Sequence, residues 1–148
     1  MKKILILDAN SLLNRAFYGI RPLSNSQGLS TNAIFGYINI VKKHLDAVKP
    51  DYVAAAFDLH EPTFRHKFDE GYKATRKPMP EELRMQMPYA KDLARAMGLT
   101  VLELEGYEAD DILGTLARLC RDRDCDASLM TGDRDSLQLI SEHVSVLL

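Results

Sequence analysis

The first ten residues, MKKILILDAN (Met1–Asn10), contain a short apolar run, Lys3–Leu7, that ends at an aspartate, Asp8. Short and nearly continuous apolar runs are typical of strands that are buried on both faces. A signal peptide is disfavoured, because the aspartate interrupts the apolar run after four residues and no small-residue cleavage site follows. The stretch therefore predicts a buried strand with a carboxylate at its carboxyl end.

Four further runs of this kind follow along the chain. They are Tyr52–Phe57, Leu99–Leu104, Ala127–Met130 and Val144–Leu148. Three helical patterns lie between them, from Ser30 or Thr31 to about Val48, from Glu81 to Met97 with a kink at Pro88, and from Glu108 to about Arg121. Strands that alternate with helices predict an α/β fold with three layers, α/β/α, around a central, mostly parallel five-stranded sheet.

The composition narrows the class of protein. A length of 148 residues fits one compact domain, and a hydrophobic fraction of 46% argues against disorder. The formal charge of −2 excludes a polycation, so a nucleic-acid contact would need a local basic patch. Cys120 and Cys125 fit neither a disulfide framework nor a zinc pattern. No apolar run approaches the roughly 20 residues of a membrane span, so we expect a cytoplasmic protein without membrane contact.

Acidic residues stand at or near the ends of four of the five predicted strands. The carboxyl ends of parallel strands share one edge of a sheet, and ligands bind there. Two unit charges about 4 Å apart repel by about 4 kcal/mol at an effective dielectric near 20, so several carboxylates in one place need positive charge among them. Oxygen ligands without a cysteine or histidine set favour Mg²⁺ or Mn²⁺. The predicted metal-binding acids are Asp8, Asp58, Glu108, Asp110, Asp111, Asp133 and Asp135.

Parts of this acidic set have an ordinary structural explanation. Carboxylates in the first turn of a helix are stabilised by the helix dipole, which would account for Glu108, Asp110 and Asp111 alone. Asp133 and Asp135 in the stretch TGDRDS could likewise belong to a capping turn. The convergence of four acid-tipped strands is what favours a metal site.

A basic segment, PTFRHKFDEGYKATRKPMP, covers residues 62–80. It has five Lys or Arg residues against two acids and aromatic residues at a spacing of four, and it should overhang the acidic edge. Cations neutralise phosphates and aromatic rings stack on bases, which points to a nucleic-acid phosphodiester as the substrate. The alternative is a solvated crossover whose aromatic residues pack into the core. Arg15 could reach a phosphate near the metals, or it could be an exposed helix residue.

Four separated blocks carry a family resemblance. They are LILDANSLLNRAFYG, AAAFDLHEPTFRHKFDEGYKATRKPMPEEL, EGYEADDILGTLA and LMTGDRDSLQLI. Together they resemble the 5′ nuclease domain of bacterial DNA polymerase I, which belongs to the flap endonuclease family and has a PIN-like fold. The resemblance covers nearly all 148 residues in order.

The resemblance implies a divalent-metal-dependent 5′-3′ exonuclease or structure-specific 5′-flap endonuclease, acting on DNA and on RNA primers paired to DNA, in replication and repair. It implies two Mg²⁺ or Mn²⁺ ions in the complete domain, held by the acids given above. The stretch GYKATRKP matches the family's helical arch, with Lys73 and Arg76 as catalytic cations. The implied nucleic-acid contacts are Arg15, Arg65, Tyr72, Lys73, Arg76 and Lys77.

One departure from the family concerns the end of the chain. Family members continue into a helix–hairpin–helix region with two further aspartates, whereas this chain ends at Leu148. We therefore expect one domain over residues 1–148, a weakly held second metal, and a polymerase portion in the parent chain.

Two other functions stay open. One is a fragment that binds metal and DNA with little or no turnover. The other is a phosphatase with Asp8 as nucleophile, which is disfavoured because Asn10 stands where that chemistry usually has a second aspartate.

Overall fold

The computed structural model describes residues 1–59 and 79–148. Within this part of the chain, five strands lie at Lys3–Asp8 (β1), Tyr52–Ala56 (β2), Thr100–Leu102 (β3), Asp126–Met130 (β4) and Val144–Leu147 (β5). In the same two ranges, five α-helices lie at Ala9–Gly19 (α1), Asn32–Val48 (α2), Glu81–Arg84 (α3), Met87–Ala96 (α4) and Ala109–Asp122 (α5). A 3₁₀ helix follows β4 at Arg134–Leu139. No helix within these two ranges is long and apolar enough to cross a lipid bilayer.

The strands form one sheet in the order β3-β2-β1-β4-β5, and every pairing is parallel. β1 is the central strand, where Leu5 is in register with Val53 on one side and with Ser128 on the other. All five carboxyl ends therefore meet at one edge, and the chain order changes direction at β1. This arrangement confirms the predicted α/β class and makes the sheet wholly parallel.

Alternate residues of β1 enter two separate cores. Leu5 and Leu7 pack in a cluster with residues of α1, α2 and α4, whereas Ile6 packs in a second cluster with residues of α5. All three side chains are fully buried. Helices thus cover both faces of the sheet, which explains why the strands read as continuous apolar runs.

The predicted helix from Glu81 to Met97 is wrong as a single helix, because the structure has two. The chain turns between α3 and α4 at Gln86, whose fully buried side chain accepts a hydrogen bond from the Ile34 N–H and donates to the Glu82 carbonyl and Asn32 Oδ1. Pro88 then lies in the first turn of α4, where its missing N–H costs little. At the predicted kink the helix is therefore interrupted, and the side chain of Gln86 forms hydrogen bonds with α2 and α3 there.

Helices α1 and α2 approach each other closely at Gly36. A Cβ atom at this position would lie 2.6 Å from Ala16 Cβ and 2.6 Å from Ile20 Cδ1. This close contact fixes the distance between α1 and α2. It therefore helps to position α1, which begins directly after Asp8.

We expect Gly36→Ala to lower the free energy of unfolding by about 1–3 kcal/mol, because the methyl group overpacks this contact. Urea unfolding followed by circular dichroism measures the change. Gly19→Ala is the matched control in α1, since a Cβ there would meet nothing within 4 Å. Equal stabilities of the two variants would contradict the packing argument.

Candidate active site

A cavity of about 490 Å³ opens at the carboxyl edge of the sheet, above the end of β1. Six of the seven predicted metal-binding acids line it. They are Asp8, Asp58, Glu108, Asp110, Asp133 and Asp135. These residues come from the ends of β1, β2 and β4 and from the start of α5, so the predicted convergence of sequence-distant acids is present in the structure. We call this cavity the acidic cavity.

Asp111 is the acid that does not line the acidic cavity. Its Oδ2 accepts a hydrogen bond from the Glu108 amide at 2.9 Å, which is one half of a capping box at the start of α5. Asp111 lines a neighbouring cavity of about 510 Å³ between α5 and the 3₁₀ helix, which shares Glu108, Asp110 and Asp135. The structure therefore gives Asp111 the helix-terminus role that the sequence had left as an alternative.

Asp8 is held at the end of β1 by two hydrogen bonds. Its Oδ2 accepts from the Thr131 hydroxyl at 2.7 Å, and its Oδ1 accepts from the Ser11 amide at 3.4 Å as the N-cap of α1. Its side chain is almost completely buried. The carboxylate is therefore fixed in place between β1 and β4.

Asp58 connects the end of β2 to two other elements. Its backbone N–H donates to Asn10 Oδ1 at 3.1 Å, and its Oδ1 accepts a short hydrogen bond from the Ala109 amide, the first residue of α5. A carboxylate at this position also interacts favourably with the helix dipole. Asp58 therefore places the start of α5, and with it Glu108 and Asp110, against the acidic cavity.

Two carboxylates of the acidic cavity, those of Asp8 and Asp110, have raised pKa values. The pKa of Asp8 is raised to about 6, first by burial and then by the charges of Asp58 and Asp133, while the hydrogen bonds from Thr131 and Ser11 act in the opposite direction. The pKa of Asp110 is raised to about 7, first by burial and then by the neighbouring carboxylates, with Asp8 foremost. Raised pKa values of this size, caused first by burial and then by like charges in a cleft, are typical of functional sites.

The donor set fits a hard divalent cation in its chemistry. Every candidate ligand of the acidic cavity is an oxygen, and the mutual repulsion of the carboxylates would be relieved by a cation. Within residues 1–59 and 79–148, no three acidic, histidine or cysteine side chains lie close enough together to hold an ion as they stand.

Two arginines lie at the same edge of the sheet. The guanidinium of Arg15 lies against Gly132, where a Cβ atom would come within 2.9 Å of Arg15 Nη2 and of Ser11 Oγ. Arg134 lines the acidic cavity itself. The sequence prediction included Arg15 and not Arg134.

Four further polar residues lie at this site, and the sequence prediction does not assign them to it. They are Asn10, Ser11, Asn14 and Thr131. Asn10, Ser11 and Asn14 line the acidic cavity, and Thr131 contacts Asp8 beneath it. The signal available in the sequence was their position, within six residues of a strand-end aspartate or directly at a strand end. That signal is weak, because hydroxyl and amide side chains are equally common at helix caps and turns.

The remaining predicted site residues lie outside the described residues. They are Arg65, Tyr72, Lys73, Arg76 and Lys77, in the basic segment. Their predicted roles stay predictions.

Comparison with known proteins identifies the fold. Over 99% of this chain, the structure superposes on a bacteriophage T5 protein crystallised with metal ions, with a TM-score of 0.74 at 19% identity, covering 55% of that chain. A bacteriophage T5 flap endonuclease, solved in a complex with DNA and metal ions, matches with a TM-score of 0.66 at 18% identity, over 99% of this chain and 54% of that chain.

Curated relatives are more similar in sequence. DNA polymerase I of Caldicellulosiruptor bescii is 44% identical over 97% of this chain, and this chain spans 17% of its length. A 5′-3′ exonuclease of Aquifex aeolicus is 37% identical over 99% of this chain, which spans 51% of its length.

The family model for the 5′-3′ exonuclease N-terminal resolvase-like domain matches residues 3–148. Together with the acid-lined edge of a parallel sheet, this match over nearly the whole chain shows that the protein belongs to the 5′-3′ exonuclease family.

Proposed function

We propose that this chain is the catalytic core of a divalent-metal-dependent nuclease that hydrolyses phosphodiester bonds of DNA near a 5′ end or at a 5′ flap. The observation that carries the proposal is the acidic cavity, in which six carboxylates from distant parts of the chain meet at one sheet edge. The family supports the choice of reaction. DNA with a 5′ end or flap and RNA–DNA hybrid primers are the proposed substrates, and the polymerase portion of a longer parent chain is a proposed partner.

The acidic residues would hold Mg²⁺ or Mn²⁺, and two ions are proposed for the complete domain. Asp8, Asp58, Glu108, Asp110, Asp133 and Asp135 are the proposed ligands that line the acidic cavity, and Asp111 remains a proposed ligand that lies beside it. Divalent cations supply two things in such a reaction, a lower pKa for bound water and neutralisation of charge on the phosphate.

The protein's own contribution is to position the charges. Asp8 and Asp58 are each held by hydrogen bonds to other elements, so their carboxylates stay in the acidic cavity at the carboxyl edge of the sheet. Arg15 and Arg134 lie at the same edge and would neutralise phosphates that flank the bond to be cleaved. A phosphodiester bound at the acidic cavity would thus have the carboxylates beneath it and the two arginine side chains beside it.

The basic segment has a proposed role in the same reaction. Lys73 and Arg76 would stabilise negative charge that develops on the phosphate. Arg65, Tyr72 and Lys77 would hold the single-stranded end by charge and stacking.

The test is a cleavage assay on an oligonucleotide with a labelled 5′ flap. We expect cleavage with Mg²⁺ and with Mn²⁺ and none with EDTA, because the carboxylates need a cation to bind the phosphate. A blunt duplex without a flap and an RNA-primed duplex are run in parallel to rank the substrates.

Asp133→Asn and Asp46→Asn form the matched pair for this assay. Asp133 lines the acidic cavity, whereas Asp46 is an exposed aspartate of α2. We expect only the first substitution to remove cleavage. Metal-dependent DNA binding without cleavage, even with Mn²⁺, would show instead a binding fragment without turnover.

A further inference from the structure

Thr131 is a fully buried hydroxyl between two of the proposed metal ligands. Its Oγ donates a hydrogen bond to Asp8 Oδ2 at 2.7 Å and accepts one from the Asp133 amide at 3.0 Å. Asp8 ends β1, and Asp133 lies in the turn after β4. One oxygen atom thus connects the two aspartates across the middle of the sheet edge.

The direction of each hydrogen bond is fixed by chemistry. A backbone N–H can only donate, so the Asp133 amide uses a lone pair of Thr131 Oγ. The single proton of the hydroxyl is then directed to Asp8 Oδ2. Among residues 1–59 and 79–148, the other Asp8 oxygen, Oδ1, has only the longer contact of 3.4 Å with the Ser11 amide. The Thr131 hydroxyl therefore engages Asp8 Oδ2 more closely than the Ser11 amide engages Oδ1.

We propose that Thr131 is a positioning residue for the metal site, which orients Asp8 and sets its spacing from Asp133. The inference rests on the proposed function, because it needs a cation at the acidic cavity. Residues that orient metal ligands through hydrogen bonds typically change metal affinity ten- to a hundredfold when they are replaced.

The test measures Mn²⁺ binding to the full chain by calorimetry and by the loss of free Mn²⁺ signal in electron paramagnetic resonance. Thr131→Val keeps the shape of the side chain and removes the hydroxyl, so we expect Mn²⁺ binding to weaken about ten- to a hundredfold. Thr131→Ser keeps the hydroxyl, and we expect its affinity to stay within about threefold of the unmodified protein. Thr100→Val, on the exposed edge strand, is the matched control and should leave binding unchanged.

The outcomes separate the inference from the function on which it rests. Mn²⁺ binding by a folded Thr131→Val protein within about twofold of the unmodified chain overturns the positioning role and leaves the proposed function intact. Equal weakening in Thr131→Val and Thr131→Ser also overturns it, because the hydroxyl would then not be the cause. Absence of Mn²⁺ binding by the unmodified chain overturns both.

A fourth variant keeps the comparison possible if the valine variant does not fold. Thr131→Cys replaces the hydroxyl by a weak donor of similar size. We expect it to bind Mn²⁺ at least tenfold more weakly than Thr131→Ser, and equal affinities of these two variants would overturn the role. For any folded variant, the Mn²⁺ concentration that gives half-maximal cleavage should rise by the same factor as the dissociation constant. A mere loss of folded protein would lower the maximal rate instead.

Discussion

Asp8→Asn is expected to abolish DNA cleavage and, at the same time, to stabilise the protein without metal. Asp8 is the proposed ligand at the end of the central strand, and it is almost completely buried. Charge stabilisation by a bound cation contributes several kcal/mol to phosphodiester hydrolysis, so we expect the cleavage rate to fall by at least about 10³-fold.

The stability gain follows from the raised pKa of Asp8, which is about 6 in the folded protein against 3.8 for the ordinary carboxyl. Between these two values the folded state binds more protons than the unfolded state, so stability falls as the pH rises and is constant above about 6. Two pKa units correspond to about 3 kcal/mol, and asparagine keeps an acceptor for Thr131. We expect Asp8→Asn to gain about 1–3 kcal/mol at about pH 7.5 and nothing below about pH 4.

Urea unfolding in EDTA at pH 4 and pH 7.5, with the flap cleavage assay beside it, measures both effects. Asp46→Asn serves again as the exposed control and should change neither quantity. Loss of cleavage together with a loss of stability at pH 7.5 would contradict the electrostatic argument, because Asp8 would then be needed for folding. Full cleavage by Asp8→Asn would contradict the proposed metal role of Asp8.

The positions of the strands along the chain could be predicted from the sequence, because buried parallel strands leave a strong local signal. The run Lys3–Leu7 needed no partner to be recognised, and the structure extends it only to Asp8. The convergence of Asp8, Asp58 and Asp133 followed from one topological rule about the carboxyl ends of parallel strands. These features depend on chain connectivity, which the sequence carries.

The contacts that fix the acids were not predictable in the same way. Asn10 meets Asp58, and Thr131 meets Asp8, across sequence separations of 48 and 123 residues. Nothing local distinguishes such residues from ordinary cap and turn residues, since the partner is supplied by the fold. The single helix predicted over Glu81–Met97 failed for a related reason. The buried side chain of Gln86 forms hydrogen bonds with Asn32 and Ile34 of α2, which lie 54 and 52 residues away in the sequence and come close to it only in the fold.

Mn²⁺ binding is expected to weaken about a thousandfold between pH 8 and pH 5, because the cation competes with protons on two carboxylates of raised pKa. The pKa values of Asp8 and Asp110 are about 6 and about 7. At pH 5, competition with protons would therefore weaken the Mn²⁺ affinity by a factor of about 10 at Asp8 and about 100 at Asp110. At pH 8 both groups are almost fully ionised, so protons hardly compete. Carboxylates with an ordinary pKa near 4 would change the affinity by less than about twofold over the same range.

Calorimetric titration of the full chain with Mn²⁺ at half-unit pH steps measures this dependence. Asp110→Asn removes one of the two titrating groups, so the affinity of that variant should change only about tenfold between pH 8 and pH 5. Asp46→Asn should keep the thousandfold change, because Asp46 is an exposed residue of α2. A change of less than about tenfold in the unmodified protein would mean that the cation does not replace the protons of Asp8 and Asp110. The acidic cavity would then not be where Mn²⁺ binds, whatever the strength of the binding itself.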